Sequence, residues 1–204
     1  MEEEYGRERH KKRDALYRGS SIQESFVLDI LDYKRNGYYV ELGAFHSTQG
    51  SNTYYLEKDF GWKGVSFEIE DDKRKEFNDN RSNYCAGDAL GFNYIEYFEA
   101  NDFPEQIDFL QVDIDHGYDF DCRPIGNHYT SLLGLISVPL CRYRFSIITF
   151  EHDESMYFRN AALKTCQREI LDSLGYTLVH KEHYEDWWVD PNVIPADIYR
   201  RYFK

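Results

Sequence analysis

Acidic side chains recur at the ends of short apolar runs in this chain. Glu41 lies within Tyr38-Tyr39-Val40-Glu41-Leu42, and Gly43 follows it. Glu68 closes Gly64-Val65-Ser66-Phe67-Glu68, and Asp88 follows Asn83-Tyr84-Cys85-Ala86-Gly87. Asp113, Asp115 and His116 come after Ile107 to Val112, and Glu151, His152 and Asp153 come after Phe145 to Phe150. Carboxylates and imidazoles in such places can accept hydrogen bonds from hydroxyls, hold a cation, or take a proton as general bases.

The first of these groups reads as a nucleoside site. A glycine after the first run, Gly43, lets the backbone turn and lets a ligand approach the main chain. Ser51 and Asn52 are good caps for a helix running through Lys58,. Glu68 lies roughly 25 residues beyond Gly43, where an acid can accept two hydrogen bonds from a ribose. A dinucleotide and S-adenosylmethionine both contain that ribose. Glu41 would repel a pyrophosphate and suits a cationic sulfonium. The glycines lack the GxGxxG order, and Asp88 is placed to accept from an adenine amino group. These points favour S-adenosylmethionine over an NAD-type cofactor. An ordinary strand-to-helix loop is the structural alternative for the Gly43 turn.

The elements that must position these residues alternate along the chain. Strands are expected at Tyr38–Leu42, Gly64–Glu68, Asn83–Ala86, Ile107–Val112 and Phe145–Phe150. Two more are expected between Tyr176 and Val189, joined by a turn at His183-Tyr184-Glu185-Asp186. Amphipathic stretches from Ile22 to Leu31, Asp71 to Phe77, Phe92 to Glu99 and Asn160 to Leu174 are expected helices, with helix and loops between Tyr118 and Pro139,. Strand alternating with helix predicts an α/β domain with a parallel sheet, which binds ligands outside the carboxyl ends of its strands. The charged segment 1–20 reads as a tail or frayed helix, and 21–204 as one domain.

Residues 38–70, with Ser51-Asn52-Thr53, Leu56-Glu57-Lys58 and Gly61-Trp62-Lys63-Gly64, resemble the FkbM family of S-adenosylmethionine-dependent methyltransferases. Ile107 to Asp115 is similar to that family's fourth-strand motif. The resemblance spans about Gly37 to Trp188. It implies a Rossmann-like seven-stranded, mostly parallel sheet with helices on both faces, the class I methyltransferase fold. It also implies methyl transfer to a hydroxyl of a sugar, glycan or related small molecule, with cofactor contacts at Glu41, Gly43, Glu68 and Asp88. The chain departs from the family at His116-Gly117.

The acceptor then belongs beside Asp113, Asp115 and His116, with Glu151, His152 and Asp153 opposite. Methyl transfer needs the hydroxyl held in line and its proton removed. Asp113, Asp115, His116, Glu151 and His152 are the candidate catalytic groups, and Asp113 can also touch the cofactor. A divalent metal is a second route to the same end. By analogy with catechol-type enzymes, Asp113, Glu151 and His152 would hold Mg²⁺, or Mn²⁺ given the imidazole. Hydrogen bonding to loop backbone is the structural alternative. Trp187 and Trp188 face opposite ways if they lie in a strand. Either one lines a sugar-binding pocket or both are core.

Composition narrows the rest. Of 204 residues, 24 are Lys or Arg and 37 are Asp or Glu, a formal charge of −13, which disfavours nucleic acid as a partner,. The four cysteines form no CxxC pair and read as reduced thiols of a cytoplasmic protein,. No apolar run is long enough to span a membrane. The expected partner is a small-molecule or glycan acceptor, with a homo-oligomer also open. A non-catalytic binding module and an NAD-type oxidoreductase are the competing readings.

Overall fold

The computed structural model describes residues 23–48, 50–114, 129–154, 160–181 and 184–203. Segment 1–20, Asp115, His116 and the stretch 118–128 lie outside the described residues.

β-Branched and aromatic residues fill the short apolar runs and suit a pleated sheet buried on both faces. They form β1 (Tyr38–Leu42), β2 (Lys63–Phe67), β3 (Tyr84–Ala86), β4 (Gln106–Val112), β5 (Arg144–Glu151), β6 (Thr177–Lys181) and β7 (Glu185–Val189). All seven join one sheet in the order β3-β2-β1-β4-β5-β7-β6. Neighbours from β3 to β5 are parallel, and β7 runs antiparallel to both β5 and β6. The chain leaves β1 toward β2 and β3, then crosses back to β4 on β1's other side. The carboxyl ends of β1 and β4 therefore form the topological switch point.

The helices are α1 (Gln23–Ile30), α2 (Tyr54–Phe60), α3 (Asp71–Asn80), α4 (Tyr94–Ala100), α5 (Tyr129–Ser137), α6 (Ala161–Ser173) and α7 (Ala196–Tyr199). They cover both faces. Phe26, Leu28 and Ile30 of α1 and Leu56 of α2 pack with Tyr39, Phe109, Ile147 and Trp187. Phe98, Leu135, Leu163 and Leu171, from α4, α5 and α6, pack with Val40, Leu110, Ile148 and Trp188 on the other face.

Two expectations change, and one open alternative is decided. The helix after β1 starts at Tyr54 with Thr53 at its N-cap, because Ser51 Oγ is occupied by the Thr53 amide and by Arg81. Of the turn expected at His183–Asp186, His183 lies outside the described residues, and the last two residues are not turn. Glu185 and Asp186 belong to β7 and are buried, since Gln23, Gln167 and Arg168 supply their partners. Trp187 and Trp188 are both core, one on each face, and neither offers an exposed ring for a sugar.

Candidate active site

Register places the chemistry-bearing residues. Ser66, Glu41, Gln111, Thr149 and Trp187 lie side by side in one row across the sheet. Side chains in register share a face, and the contact of Trp187 with Phe26 identifies it as the face under α1. Two residues further along each strand, the same face carries Glu68, Gly43, Asp113, Glu151 and Glu185. The carboxyl edge of the sheet is thus a line of acids broken by one glycine at the switch point.

Gly43 has φ +89, a region open to glycine,. A Cβ there would sit 1.7 Å from the Asp113 carbonyl oxygen. The close approach of β1 to β4 therefore requires glycine, apart from any ligand. The Asp113 amide donates to the Leu42 carbonyl at 2.9 Å, which holds the two strand ends together.

Glu68 is held by two amides. Phe45 N donates to one carboxylate oxygen at 2.9 Å and Glu70 N to the other at 2.8 Å. Each oxygen keeps a further lone pair for a ribose hydroxyl. The next residue, Ile69, is 69% exposed, an apolar side chain left uncovered between acids. Phe45 is also exposed and has φ +51, unusual for a bulky residue,. Asp88 is exposed at the end of β3 and accepts from the Leu90 amide at 2.8 Å.

Glu41, expected from the sequence to suit a cationic sulfonium, lies inside the fold. It is buried, and one oxygen accepts from Thr53 Oγ1 at 2.9 Å and from Ser66 Oγ at 2.6 Å. Burial raises its pKa, while Arg81 and the two hydroxyls oppose that rise. Ser51 and Asn52 are buried in the same loop. These three residues shape the wall beside Gly43 and are closed off from solvent.

At the β4 and β5 ends, Asp113 and Glu151 are partly exposed and hydrogen-bonded to each other. Burial, with Asp113, Asp153 and Glu185 nearby, holds Glu151 protonated far above the ordinary carboxylate range. The bond between the two carboxyls therefore carries a proton. His152, the next residue, does not join them. It is fully buried, its Nδ1 accepts from the Glu154 amide at 3.2 Å, and its Nε2 lies 3.8 Å from Asp186. The metal set Asp113, Glu151 and His152 is therefore not assembled. Among the described residues no three His, Cys, Asp or Glu are grouped to hold a metal ion.

Several residues at the site escaped the sequence reading. Ile69 carried a signal, being the lone apolar residue in Glu68-Ile69-Glu70-Asp71-Asp72. Gln23 carried none, yet its amide donates to Glu185 at 2.5 Å and accepts from Thr149 Oγ1 at 2.7 Å. Arg81 lies beyond the helix expected from Asp71 to Phe77 and was not singled out.

No protein-family model matches the chain, and no curated protein sequence matches it. Solved structures do. Human methyltransferase-like protein 13, crystallised with SAH, superposes with a TM-score of 0.50 at 14% identity, over 90% of this chain and 92% of that one. An O-methyltransferase from Bacillus cereus in complex with SAH gives 0.49 at 16% identity, over 90% and 89%. A TehB-like SAM-dependent methyltransferase from Corynebacterium glutamicum gives 0.48 at 12% identity, over 92% and 97%. Strand order, the single antiparallel strand and the first of these superpositions agree: the chain has the class I, Rossmann-like methyltransferase fold.

Proposed function

We propose that the chain is an S-adenosylmethionine-dependent methyltransferase acting on a hydroxyl of a small molecule. The observation that carries this is the carboxyl edge itself. Glu68 stands fixed by two amides beside uncovered Ile69, and Gly43 and Asp113 meet at the switch point. The residues quoted for the FkbM family point the same way, and hydroxyl transfer follows from that resemblance.

When bound, S-adenosylmethionine supplies an electrophilic methyl group. Glu68 would hold the ribose, and Asp88 the adenine edge. Asp113 would take the proton from the acceptor hydroxyl as that oxygen takes the methyl group and the demethylated cofactor leaves with the C–S bonding pair. Protonated Glu151 would donate to Asp113 and keep its carboxylate in position. No metal is assigned to this step.

The test is calorimetric titration with S-adenosylhomocysteine (SAH), the demethylated cofactor. The wild-type protein is expected to bind it saturably, and Glu68→Ala to bind about tenfold or more weakly, as loss of a charged hydrogen-bond partner predicts. Absence of heat with the wild-type protein would overturn the proposal. An unchanged affinity in Glu68→Ala would remove Glu68 from it.

A further inference from the structure

We infer that Arg81 is a positioning residue for the cofactor: it fixes the loop between β1 and α2 against Gly43 and thereby sets cofactor affinity. The inference rests on the function proposed above. Among the described residues from 43 to 53 there is neither helix nor strand. Such a stretch holds its shape only if side chains tie it down.

Arg81 does so from just past the end of α3. It is 8% exposed. Its Nε donates to Glu57 Oε2 at 2.7 Å. One terminal nitrogen donates to the Ser47 carbonyl at 2.9 Å and to Ser51 Oγ at 3.2 Å. The other donates to Tyr39 Oη at 3.2 Å, to the Thr53 carbonyl at 3.2 Å and to Thr53 Oγ1 at 3.1 Å. Its partners lie on β1, on α2, and in the middle and at the α2 end of the loop, so one side chain fastens all three. The guanidinium also lies over Phe77, 4.6 Å from the ring centroid.

Burial alone would penalise this cation, and Glu57 and Glu41 compensate for it,. The loop is also stitched to α3 by Ser47 Oγ, which donates to Glu76 at 2.5 Å, and by Lys73 Nζ, 3.4 Å from the Phe45 ring centroid. The path to the cofactor is short. Phe45, at the start of the same loop, gives its amide to Glu68. Displacement of the loop moves that amide and the carboxylate it orients. A planar fork with five donors makes these bonds. Lysine keeps the charge but gathers its donors on one nitrogen and leaves several acceptors unmet.

The experiment titrates SAH into wild type, Arg81→Lys and Thr53→Val, and follows backbone amide exchange by mass spectrometry. Arg81→Lys is expected to bind SAH about tenfold or more weakly. Exchange should quicken over residues 44–57 while β4 and β5 keep wild-type protection. Wild-type affinity in Arg81→Lys overturns the inference. So does exchange that quickens equally in β4 and β5, which would make Arg81 a residue of general stability. Should Arg81→Lys fail to fold, Thr53→Val decides. It deletes the hydroxyl between Glu41 and Arg81 at nearly constant volume, and wild-type affinity there also overturns the inference. A wild-type protein that gives no heat with SAH refutes the proposed function, and this inference with it, whatever the variants do.

Discussion

Among single residues, burial matters more than residue type in deciding what a carboxylate does. Glu24, on α1, is buried and accepts from the Tyr55 amide at 2.9 Å, linking α1 to the start of α2. Burial, and then Glu41, push its pKa up to about 8, while the amides of Tyr55 and Leu56 oppose the rise. The folded chain thus keeps a proton that the unfolded chain releases near the ordinary value of 4.5. Between these two values the folded state binds more protons, so this group's contribution to stability declines as pH rises and levels off above about 8,. Glu24→Gln should match the wild-type melting temperature near the lower value and exceed it increasingly toward the upper one. Melting curves across that range test this, and a gap independent of pH would show that Glu24 is not the titrating group. Nothing in the sequence marked Glu24 for this, because the groups that bury it come from α2 and β1.

Secondary elements were more legible than the junctions between them. β1 to β5 fall within a residue of the runs that predict them, since strand periodicity is a local property. The β1–β4 contact is not local. Gly43 was expected to free the turn and admit a ligand, and the fold adds a stronger reason in the Asp113 carbonyl. Gly43→Ala should therefore lose about 3 kcal/mol or more, from positive φ and backbone overlap together. Urea unfolding measures this. A loss below about 1 kcal/mol would mean that β1 and β4 can separate without cost. β7 shows the reverse case. A run of charged residues looked like a turn, but Glu185 finds Gln23, 162 residues away, and Asp186 is gripped by Arg168 through two nitrogens at 2.6 and 2.7 Å. A partner so distant in sequence leaves no local trace.

For the molecule as a whole, the charge of −13 sets a prediction of its own. Like charges destabilise the compact state, and salt screens them over roughly 10 Å at 0.1 M. Exposed pairs such as Lys75–Asp79 weaken under the same conditions and contribute little to stability,. The melting temperature should rise from low to moderate NaCl in scanning calorimetry, and a fall would show that local ion pairs outweigh the net repulsion. No helix among the described residues is long and apolar enough to cross a membrane.

From the sequence alone came the alternation of strand and helix, the acids at strand ends, and the expectation of cofactor contacts at Gly43 and Glu68. Those features depend on near neighbours in the chain. Tertiary structure decided which strands lie side by side, and hence which acids meet. It set Asp113 against Glu151, turned His152 away toward Asp186, enclosed Glu41, and packed Trp187 and Trp188 on opposite faces. The reason is geometric: adjacent residues at a strand end point to opposite sides of the sheet, and only strand order and register determine what waits on each side.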